Sequence, residues 1–588
     1  MNRITILTAI FLITILRQDQ GIIKTHSYAR GISHLALQQK EKKKAGSSHA
    51  DDIAKYERDI LKSFSNGNYF KLYDNIEKFV LRFPENPISL LYVYDLTRLS
   101  DIYGFERTVK TLKQIITKIE KKTDFKHRNN TLLLLKLELE KLLYRFRIKD
   151  AENLSKKLAP LRKWTLAGPY FKYGASDLYY PFMPEIITRL DIPNLNKKKI
   201  LLKNRTGRLN LKKYLYPAKG VAYAFTTFKQ IKPVKIRIYS DSSYILYING
   251  EKTVENAKGK TFRQVRILRV WGTDEITIML KLINEDKWDF RVLVTDDDDN
   301  ILNVSCEPEK LIFTDFKYIE EMEHPFTSIM DKTAKDPADS YLQLGSFFYE
   351  LNSIEAVEFY KKSLAIKRDI LKQFLLASAM IEMCDDINSS FYMEGWQMLM
   401  NLASSNPNFI PVQYKYFQKL IQRRSILQAF YKGKELIKKA KYHLQLRLDY
   451  IDLLKSLGYD KELIEEIHSL RKDFPCSTAP LIKLAEYYRD KNILKSTSIY
   501  RKVIEIDPSQ RTIKRLLGIY KEQGRYADAA RLINDYDHDS NFNDDLIETY
   551  INSGNFESAK NIIFKEMINK DDPYYHLKLG LISFMHDI

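Results

Sequence analysis

The stretch that decides the fold is residues 484–508, with the sequence LAEYYRDKNILKSTSIYRKVIEIDP. Its apolar and aromatic residues recur at helical spacing, which predicts two amphipathic helices joined by a short turn. Ala485 and Ser496 are small and fall where the two helices would cross, and Pro508 follows the second helix, which it cannot continue. We therefore predict a pair of packed helices over this stretch.

The same pattern recurs elsewhere in the chain. The copies contain Leu517, Tyr520, Gly524, Tyr526, Ala529 and Ile533; then Ile547, Tyr550, Gly554, Phe556, Ala559 and Ile563; and, near the beginning, Gly67, Tyr69, Leu72, Ile76, Phe79 and Pro84. A helix pair that returns about every 34 residues resembles the tetratricopeptide repeat, TPR. The resemblance implies an array whose first helices line a groove for a protein or peptide partner.

A β-rich region interrupts the helical pattern. Val234, Ile236 and Ile238 alternate with polar residues, which predicts a strand with one buried face. The dipeptide Asn249-Gly250 follows an apolar run and predicts a hairpin turn. Further short runs with turn residues between them predict an antiparallel β-sandwich, of the jelly-roll type.

The start of this region carries a second resemblance. Residues 161–170 read LRKWTLAGPY, and residues 180–185 read YPFMPE. These segments resemble the Trp…Gly-Pro-Phe…Pro-Pro-Glu element of large bacterial envelope proteins that often end in a transglutaminase-like domain. The resemblance implies a galactose-binding-like sandwich flanked by TPR repeats, although the transglutaminase-like part is absent here. Trp164, within this element, is interpreted as a structural residue packed over the sandwich.

The predicted fold class is multidomain α+β, with TPR-like helical repeats flanking an antiparallel β-sandwich. The predicted segments are 1–20, a signal peptide or short anchor; 21–50, a polar linker; 51–160, a helical TPR-like domain; 161–313, the β-sandwich; 314–338, a linker; and 339–588, a TPR-like domain whose last repeat is incomplete.

The first residues bear on localisation. Met1-Asn2-Arg3 is a short basic start, and Ile4–Leu16 is an apolar run of a length that suits a signal peptide. The prediction is export to the periplasm or cell envelope, with peripheral membrane association, and the alternative is a cytoplasmic protein.

Composition excludes several classes of function. The net charge is +20, but the lysines alternate with glutamates as on solvated helix faces, so nucleic acid is not a predicted partner. The three cysteines, Cys306, Cys384 and Cys476, form no CxxC pair and predict neither a zinc site nor a disulfide framework. The acidic run Asp296–Asn300 does not match a calcium loop and is interpreted as a turn. The sequence predicts no catalytic residue, cofactor or metal.

Two sets of residues are candidates for binding. In the sandwich, Trp271, Trp288, Asp241 and Asn249 would stack on and hydrogen-bond a carbohydrate; the alternative is that the aromatic residues fill the core and the polar ones cap turns. In the repeat groove, Lys483, Glu486, Lys514 and Arg515 would meet a peptide; the alternative is solvated surface.

The sequence therefore predicts a non-catalytic envelope scaffold that binds protein partners through its repeats, with the sandwich as an accessory module. Two other functions stay open: the binding half of a transglutaminase-like enzyme, and a carbohydrate-binding adhesin.

Overall fold

The structure is a computed structural model. It describes residues 47–123, 125, 128–186, 197–201, 207–215, 220–230, 232–240, 242–256, 265–284, 288–308, 318–322, 337–338, 341–342, 345, 349, 355–384, 386–536, 542–566 and 573–586. The predicted signal segment, most of the predicted linker 21–50 and Asp241 lie outside these residues. Within them, no helix is both long enough and apolar enough to cross a bilayer.

Helices come first in the described part of the chain. They are α1 Ser47–Ser65, α2 Tyr69–Arg82, α3 Pro87–Tyr103, α4 Phe105–Glu120, α5 Arg128–Phe146 and α6 Ile148–Lys157. The turn between α1 and α2 contains Gly67 at a φ of +62°, a conformation that glycine adopts without strain. Asn68 then caps α2 by accepting a hydrogen bond from the backbone N–H of Lys71.

The middle of the chain is an antiparallel sandwich of two sheets. Its strands are β1 Lys163–Tyr170, β2 Lys197–Leu201, β3 Leu209–Asn210, β4 Val221–Lys229, β5 Val234–Ser240, β6 Tyr244–Ile248, β7 Glu251–Asn256, β8 Val265–Trp271, β9 Glu275–Ile283, β10 Asp289–Thr295, β11 Cys306–Glu307 and β12 Tyr318–Met322. One sheet has the order β2-β1-β4-β9-β6-β7, with β11 also on β4; the other has the order β12-β8-β5-β10-β3. A short helix, α7 Met183–Ile186, lies between β1 and β2.

The sandwich core lies between the sheets and confirms the predicted alternation. Val234, Ile236 and Ile238 of β5 all contribute to it, together with residues of the opposite sheet. Trp164 is fully buried in the same core, where its indole N–H donates to the Leu161 carbonyl at 3.0 Å. The hairpin at Asn249-Gly250 joins β6 to β7 as predicted.

The sandwich extends beyond the predicted boundary at residue 313. Strand β12 lies inside the segment interpreted as a linker and pairs with β8, from Tyr318 opposite Trp271 to Met322 opposite Ile267. Its sequence, YIEEM, lacks the alternation of apolar and polar residues that marks a strand. The strand lies at the edge of its sheet and buries little of its surface, so it needs no apolar face. Cross-strand contacts with β8, including Arg266 to Glu321 at 2.6 Å, therefore hold a strand that its own pattern does not reveal.

Helices resume after the sandwich. They are α8 Glu355–Ile366, α9 Ile370–Glu382, α10 Ser390–Ser405, α11 Ile410–Gln422, α12 Ile426–Lys439, α13 Leu444–Leu457, α14 Asp460–Asp473, α15 Ala479–Tyr488, α16 Ile493–Ile506, α17 Gln510–Glu522, α18 Tyr526–Tyr536, α19 Asn543–Asn552, α20 Phe556–Glu566 and α21 Pro573–His586.

Small residues let these helices approach each other, as the repeat pattern predicts. Ala485, Ala529 and Ala559 are fully buried. Ser496 of α16 donates a hydrogen bond to the backbone carbonyl of Ala485 in α15 at 2.8 Å, which joins the two helices of that pair directly. These features make the helical regions TPR-like.

The contacts divide the chain into two compact units. One comprises the residues up to 142 together with Pro325–Val503, and the other comprises Leu143–His324 together with Ile504–Ile588. The first unit therefore contains helices from both sides of the sandwich in the sequence.

Within the first unit, the α1–α2 pair, here called the N-terminal hairpin, packs against the loops of the later repeats. The Phe70 ring stacks on Phe474 with centroids 5.2 Å apart and contacts Tyr442 edge-on. At the turn, a Cβ on Gly67 would lie 3.0 Å from both Ala440 and Ile410. The two regions that the sequence placed in separate domains thus share a packed joint.

Candidate functional site

The first helices of three successive repeats in the first unit form one layer. Helix α11 contacts α13, and α13 contacts α15. Most residues of α11 and α13 are buried. Among the residues that remain accessible on the three helices is a polar row, here called the first-helix strip, consisting of Gln418, Gln445, Asp449, Asp452, Lys483 and Glu486.

Hydrogen bonds connect the strip from one helix to the next. The Tyr414 hydroxyl and the Gln418 amide of α11 both donate to Asp449 Oδ2 of α13, at 2.8 and 3.0 Å. Gln445 donates to the other oxygen of Asp449 at 2.8 Å. Lys483 of α15 reaches back to Asp452 at 2.5 Å. Asp449 and Asp452, one helical turn apart, therefore bind the helices on either side.

The environment of Asp449 changes its protonation. Burial raises the pKa of Asp449 to about 6, although the hydrogen bonds from Tyr414 and Gln445 favour the charged form. This carboxyl accordingly takes up a proton in mildly acidic solution, and the strip loses a negative charge there.

A second polar group lies deeper in the same unit. Glu382 of α9 pairs with Lys415 of α11 and accepts a hydrogen bond from the Tyr349 hydroxyl. Burial lowers the pKa of Lys415 well below its usual value and that of Lys419, one turn further along α11, to about 8. These buried contacts fix the position of α11 relative to α9.

The predicted groove residues divide between the two units. Lys483 and Glu486 lie in the first-helix strip and are 3.7 Å apart in an ion pair. Lys514 and Arg515 lie on α17 of the second unit, where the Lys514 ammonium is 5.8 Å from the centroid of the Phe542 ring.

The centre of the strip was not predicted from the sequence. Gln445, Asp449 and Asp452 are polar residues at helical spacing in LQLRLDYIDLL, a mostly apolar stretch of helix. That interruption is the signal that could have identified them, because a helix buried on most of its surface exposes only one row of residues.

The predicted sandwich residues are placed as follows. Trp288 is 1% exposed, and its indole N–H donates to the Leu282 carbonyl at 3.1 Å, so its ring belongs to the core. Asn249 is buried in the hairpin turn, where its side chain accepts from the Thr277 backbone N–H at 2.7 Å. Trp271 is partly exposed on β8 and stacks on Tyr318 at 5.2 Å. The three described residues belong to different parts of the sandwich.

The acidic run forms the predicted turn between β10 and the residues that follow it. Asp297 pairs with Arg269 of β8 at 2.5 Å, and Asp299 pairs with Lys235 of β5 at 2.7 Å. The Asp299 carboxylate is also 2.5 Å from buried Arg237. The carboxylates of the acidic run thus neutralise lysine and arginine side chains of β5 and β8, which belong to the same sheet as β10. Among the residues that the structure describes, no group of His, Cys, Asp or Glu side chains is arranged to hold a metal ion.

The segment 171–186, here called the strap, covers the outer face of the larger sheet. Its Glu185 accepts hydrogen bonds from the hydroxyls of Tyr223 and Tyr247, the latter at 2.5 Å, and pairs with fully buried Lys281 at 2.6 Å. Lys281 also donates to the Tyr180 carbonyl at 2.7 Å. Glu185 is the last residue of the YPFMPE segment, so the structure gives that segment an anchoring role.

The paired helices, with alanine, glycine or serine at their crossings and first helices in one layer, define a TPR-like repeat protein with an inserted antiparallel sandwich. A scan against protein families and a search of curated proteins each found no match.

Solved structures similar to the chain are TPR proteins. YrrB, described as a TPR protein with an unusual peptide-binding site, has 16% identity and a TM-score of 0.24, over 32% of this chain and 95% of that one. A tetratricopeptide repeat protein from Parabacteroides merdae has 12% identity and a TM-score of 0.30, over 42% and 99%. Yeast Tom70 has 11% identity and a TM-score of 0.32, over 95% and 91%.

Proposed function

We propose that this protein is a non-catalytic scaffold that binds a protein or peptide partner along the first-helix strip. The observation that carries the proposal is the continuity of the strip over α11, α13 and α15, which hydrogen bonds and an ion pair connect from helix to helix. A groove built from successive first helices presents hydrogen-bonding groups at regular intervals, which suits an extended peptide.

The chemistry of the strip supports a peptide as the partner. Its side chains are amides, carboxylates and one ammonium group, and Asp449 accepts several hydrogen bonds at once. Such groups pair with the backbone amides and polar side chains of a bound segment. The hydrogen bonds between α11 and α13 hold these groups in place before the partner arrives, which reduces the entropy lost on binding.

Export to the cell envelope is part of the same proposal and is supported by the apolar run Ile4–Leu16. In this proposal the sandwich is an accessory module. Fractionation of the native cells tests the location: the protein should be recovered with the envelope or periplasm, and recovery only with cytoplasmic markers would contradict export.

Site-specific photo-crosslinking in the native cells tests the binding surface. A photoreactive amino acid is placed at Gln445 or Glu486 in the strip, or at Lys438, an exposed residue of the second helix α12, as the control. The expected result is a discrete adduct from both strip positions and none from position 438. Equal adducts from all three positions, or none from the strip, would contradict the proposal.

A further inference from the structure

A polar cavity lies at the joint between the N-terminal hairpin and the repeats, and it shares no lining residue with the first-helix strip. Its volume is about 510 Å³. The lining residues are Asp59, Lys62, Ser63, Asn66, Gly67, Asn68, Lys71 and Asn75 of the hairpin, Lys439 at the end of α12, and Ala440, Lys441 and Tyr442 of the loop between α12 and α13. We propose that this cavity binds a small phosphorylated molecule that carries at least two phosphate groups.

The charge of the lining favours an anion. Lysines stand on both sides of the cavity, Lys62 and Lys71 on the hairpin and Lys439 and Lys441 on the repeat loop, against one carboxylate, that of Asp59. An ammonium group carries a compact positive charge and donates charge-assisted hydrogen bonds to phosphate oxygens.

The two pairs of lysines differ in their partners. Lys439 is 2.6 Å from Glu435, and Lys441 is 2.9 Å from Asp473. Lys62 and Lys71 are exposed, and no carboxylate of the described residues pairs with them. The hairpin side therefore supplies the cationic charge that a ligand can use without displacing an existing ion pair.

The end of a helix adds to this charge. The cavity lies at the amino end of α2, where Gly67, Asn68 and Lys71 contribute to its lining. Aligned peptide dipoles give such an end a partial positive charge, even though the Lys71 backbone N–H is already taken by the Asn68 side chain.

The walls of the cavity are formed before any ligand binds. The Asn75 side-chain amide donates a hydrogen bond to the Ser63 hydroxyl at 3.1 Å, which connects α2 to α1. The Ser63 hydroxyl in turn donates to the backbone carbonyl of Asp59 at 2.8 Å. Gly67 meets Ala440 and Ile410 in close contact, which sets the distance between the hairpin and the loop. Because lysines stand on both walls, a ligand with two or more phosphate groups can contact both, binding Lys62 and Lys71 on the hairpin and sharing Lys439 and Lys441 with Glu435 and Asp473 on the other wall.

The inference is independent of peptide binding at the strip. It is tested by titrating the full-length protein with pyrophosphate, and separately with inorganic phosphate, in a calorimeter at fixed ionic strength. The expected result is saturable pyrophosphate binding that is clearly tighter than phosphate binding. Absence of saturable pyrophosphate binding, or equal affinity for the two anions, would overturn the proposal.

Variants locate the site. The double variant K62Q/K71Q should bind pyrophosphate about tenfold more weakly or worse, because two charge-assisted contacts are lost. The matched control is K78Q, which removes an exposed lysine of α2 that does not line the cavity and should leave the affinity unchanged. D59N removes the carboxylate from the lining and should tighten binding.

Each variant is first checked for native circular dichroism, and D59N keeps the test decisive if the double variant does not fold. Equal weakening in K62Q/K71Q and K78Q would place the anion elsewhere on a generally basic surface and would reject the cavity. Weaker pyrophosphate binding in D59N would also reject it.

Discussion

The strap on the sandwich and the N-terminal hairpin on the repeats are both segments fixed to a folded surface, but by different chemistry. The strap is held by a partly buried carboxylate, Glu185, with a fully buried lysine and two tyrosine hydroxyls as partners. The hairpin is held by stacked rings, by close contact at Gly67 and by a histidine, His443, that contacts Tyr69.

This difference in chemistry determines how substitutions weaken each attachment. Removing one partner of a buried ion pair leaves an uncompensated charge, so a single substitution causes a large loss of stability. Apolar contacts in a joint are many and individually small, so their loss is gradual. The strap should therefore depend on a few residues, and the hairpin on the closeness of its packing.

The largest expected effect is in the strap. Glu185→Gln removes the carboxylate paired with the buried Lys281 ammonium, which should lower the free energy of unfolding of the sandwich by about 3–5 kcal/mol. Urea denaturation of the full-length protein measures it, and hydrogen exchange over residues 172–186 localises it. Glu307→Gln, at an exposed position of β11, is the control and should have little effect. A loss below about 1 kcal/mol for Glu185→Gln would show that the ion pair is not what holds the strap.

The next effect separates the hydrogen bonds from the ion pair. Tyr247→Phe removes the hydroxyl that donates to Glu185 at 2.5 Å and should cost about 1.5–3 kcal/mol, the range for a hydrogen bond to a charged group. Tyr170→Phe is the matched control on the same face, because the buried Tyr170 hydroxyl has no hydrogen-bond partner among the described residues. Equal costs in the two variants would contradict this account of the strap.

A pH effect tests the joint. Nδ1 of His443 accepts from the Leu446 backbone N–H at 3.2 Å, so Nε2 carries the proton and donates to the Tyr69 hydroxyl at 3.3 Å. Burial lowers the pKa of His443 to about 3. The unfolded chain, with a pKa near 6.5, binds the proton first, so stability is lost as the pH falls from about 6.5 toward 3.

When the pH is lowered from 7 to 5, the buried neutral state of His443 should lower the free energy of unfolding by about 2 kcal/mol. His443→Asn keeps a residue suited to the helix N-cap, but asparagine does not titrate. The free energy of unfolding of this variant should therefore change by about 2 kcal/mol less between pH 7 and pH 5 than that of the wild type. Denaturation curves of both proteins at the two pH values provide the comparison, and identical pH dependence would show that His443 is not buried in a neutral form.

The smallest expected effect concerns the closeness of the joint. Gly67→Ala places a methyl group 3.0 Å from Ala440 and Ile410. Gly458→Ala is the control, because Gly458 has a similar positive φ of +73° with nothing within 4 Å of the added Cβ. Both variants are destabilised because alanine disfavours the left-handed conformation. Gly67→Ala should lose about 1–2 kcal/mol more in the free energy of unfolding because the added methyl group overpacks the joint. Equal losses on thermal unfolding would mean that the joint is loosely packed.

The sequence predicted those features that leave a local pattern. The helix pairs around Ala485, Ala529 and Ala559 follow from small and aromatic residues at helical spacing, and the hairpin at Asn249-Gly250 follows from its turn chemistry. In the candidate site, Lys483 and Glu486 were predicted from the same repeat pattern and lie in the strip, whereas Asp449 and Asp452 were not predicted because they belong to a mostly apolar helix.

Contacts between distant segments were not predictable, because nothing in either segment marks its partner. Neither Phe70 nor Phe474 differs locally from an ordinary aromatic residue on a helix, and only the fold shows that they stack. Glu185 and Lys281 similarly belong to separate patterns, one in an irregular segment and one in a strand that otherwise predicts an apolar face. Strand β12 was missed because its partner, not its sequence, makes it a strand.

The contact between Tyr69 and His443 has a consequence for how the protein is made. The two residues are 374 positions apart in the chain. A ribosome adding about 5–20 residues per second needs roughly 20–75 s to travel that distance. During this interval the ring of Phe70 has no Phe474 to cover it, so the newly made hairpin exposes an aromatic surface of the kind that chaperones recognise. Synthesis of this chain therefore carries an aggregation risk early on, which ends when the later repeats have emerged.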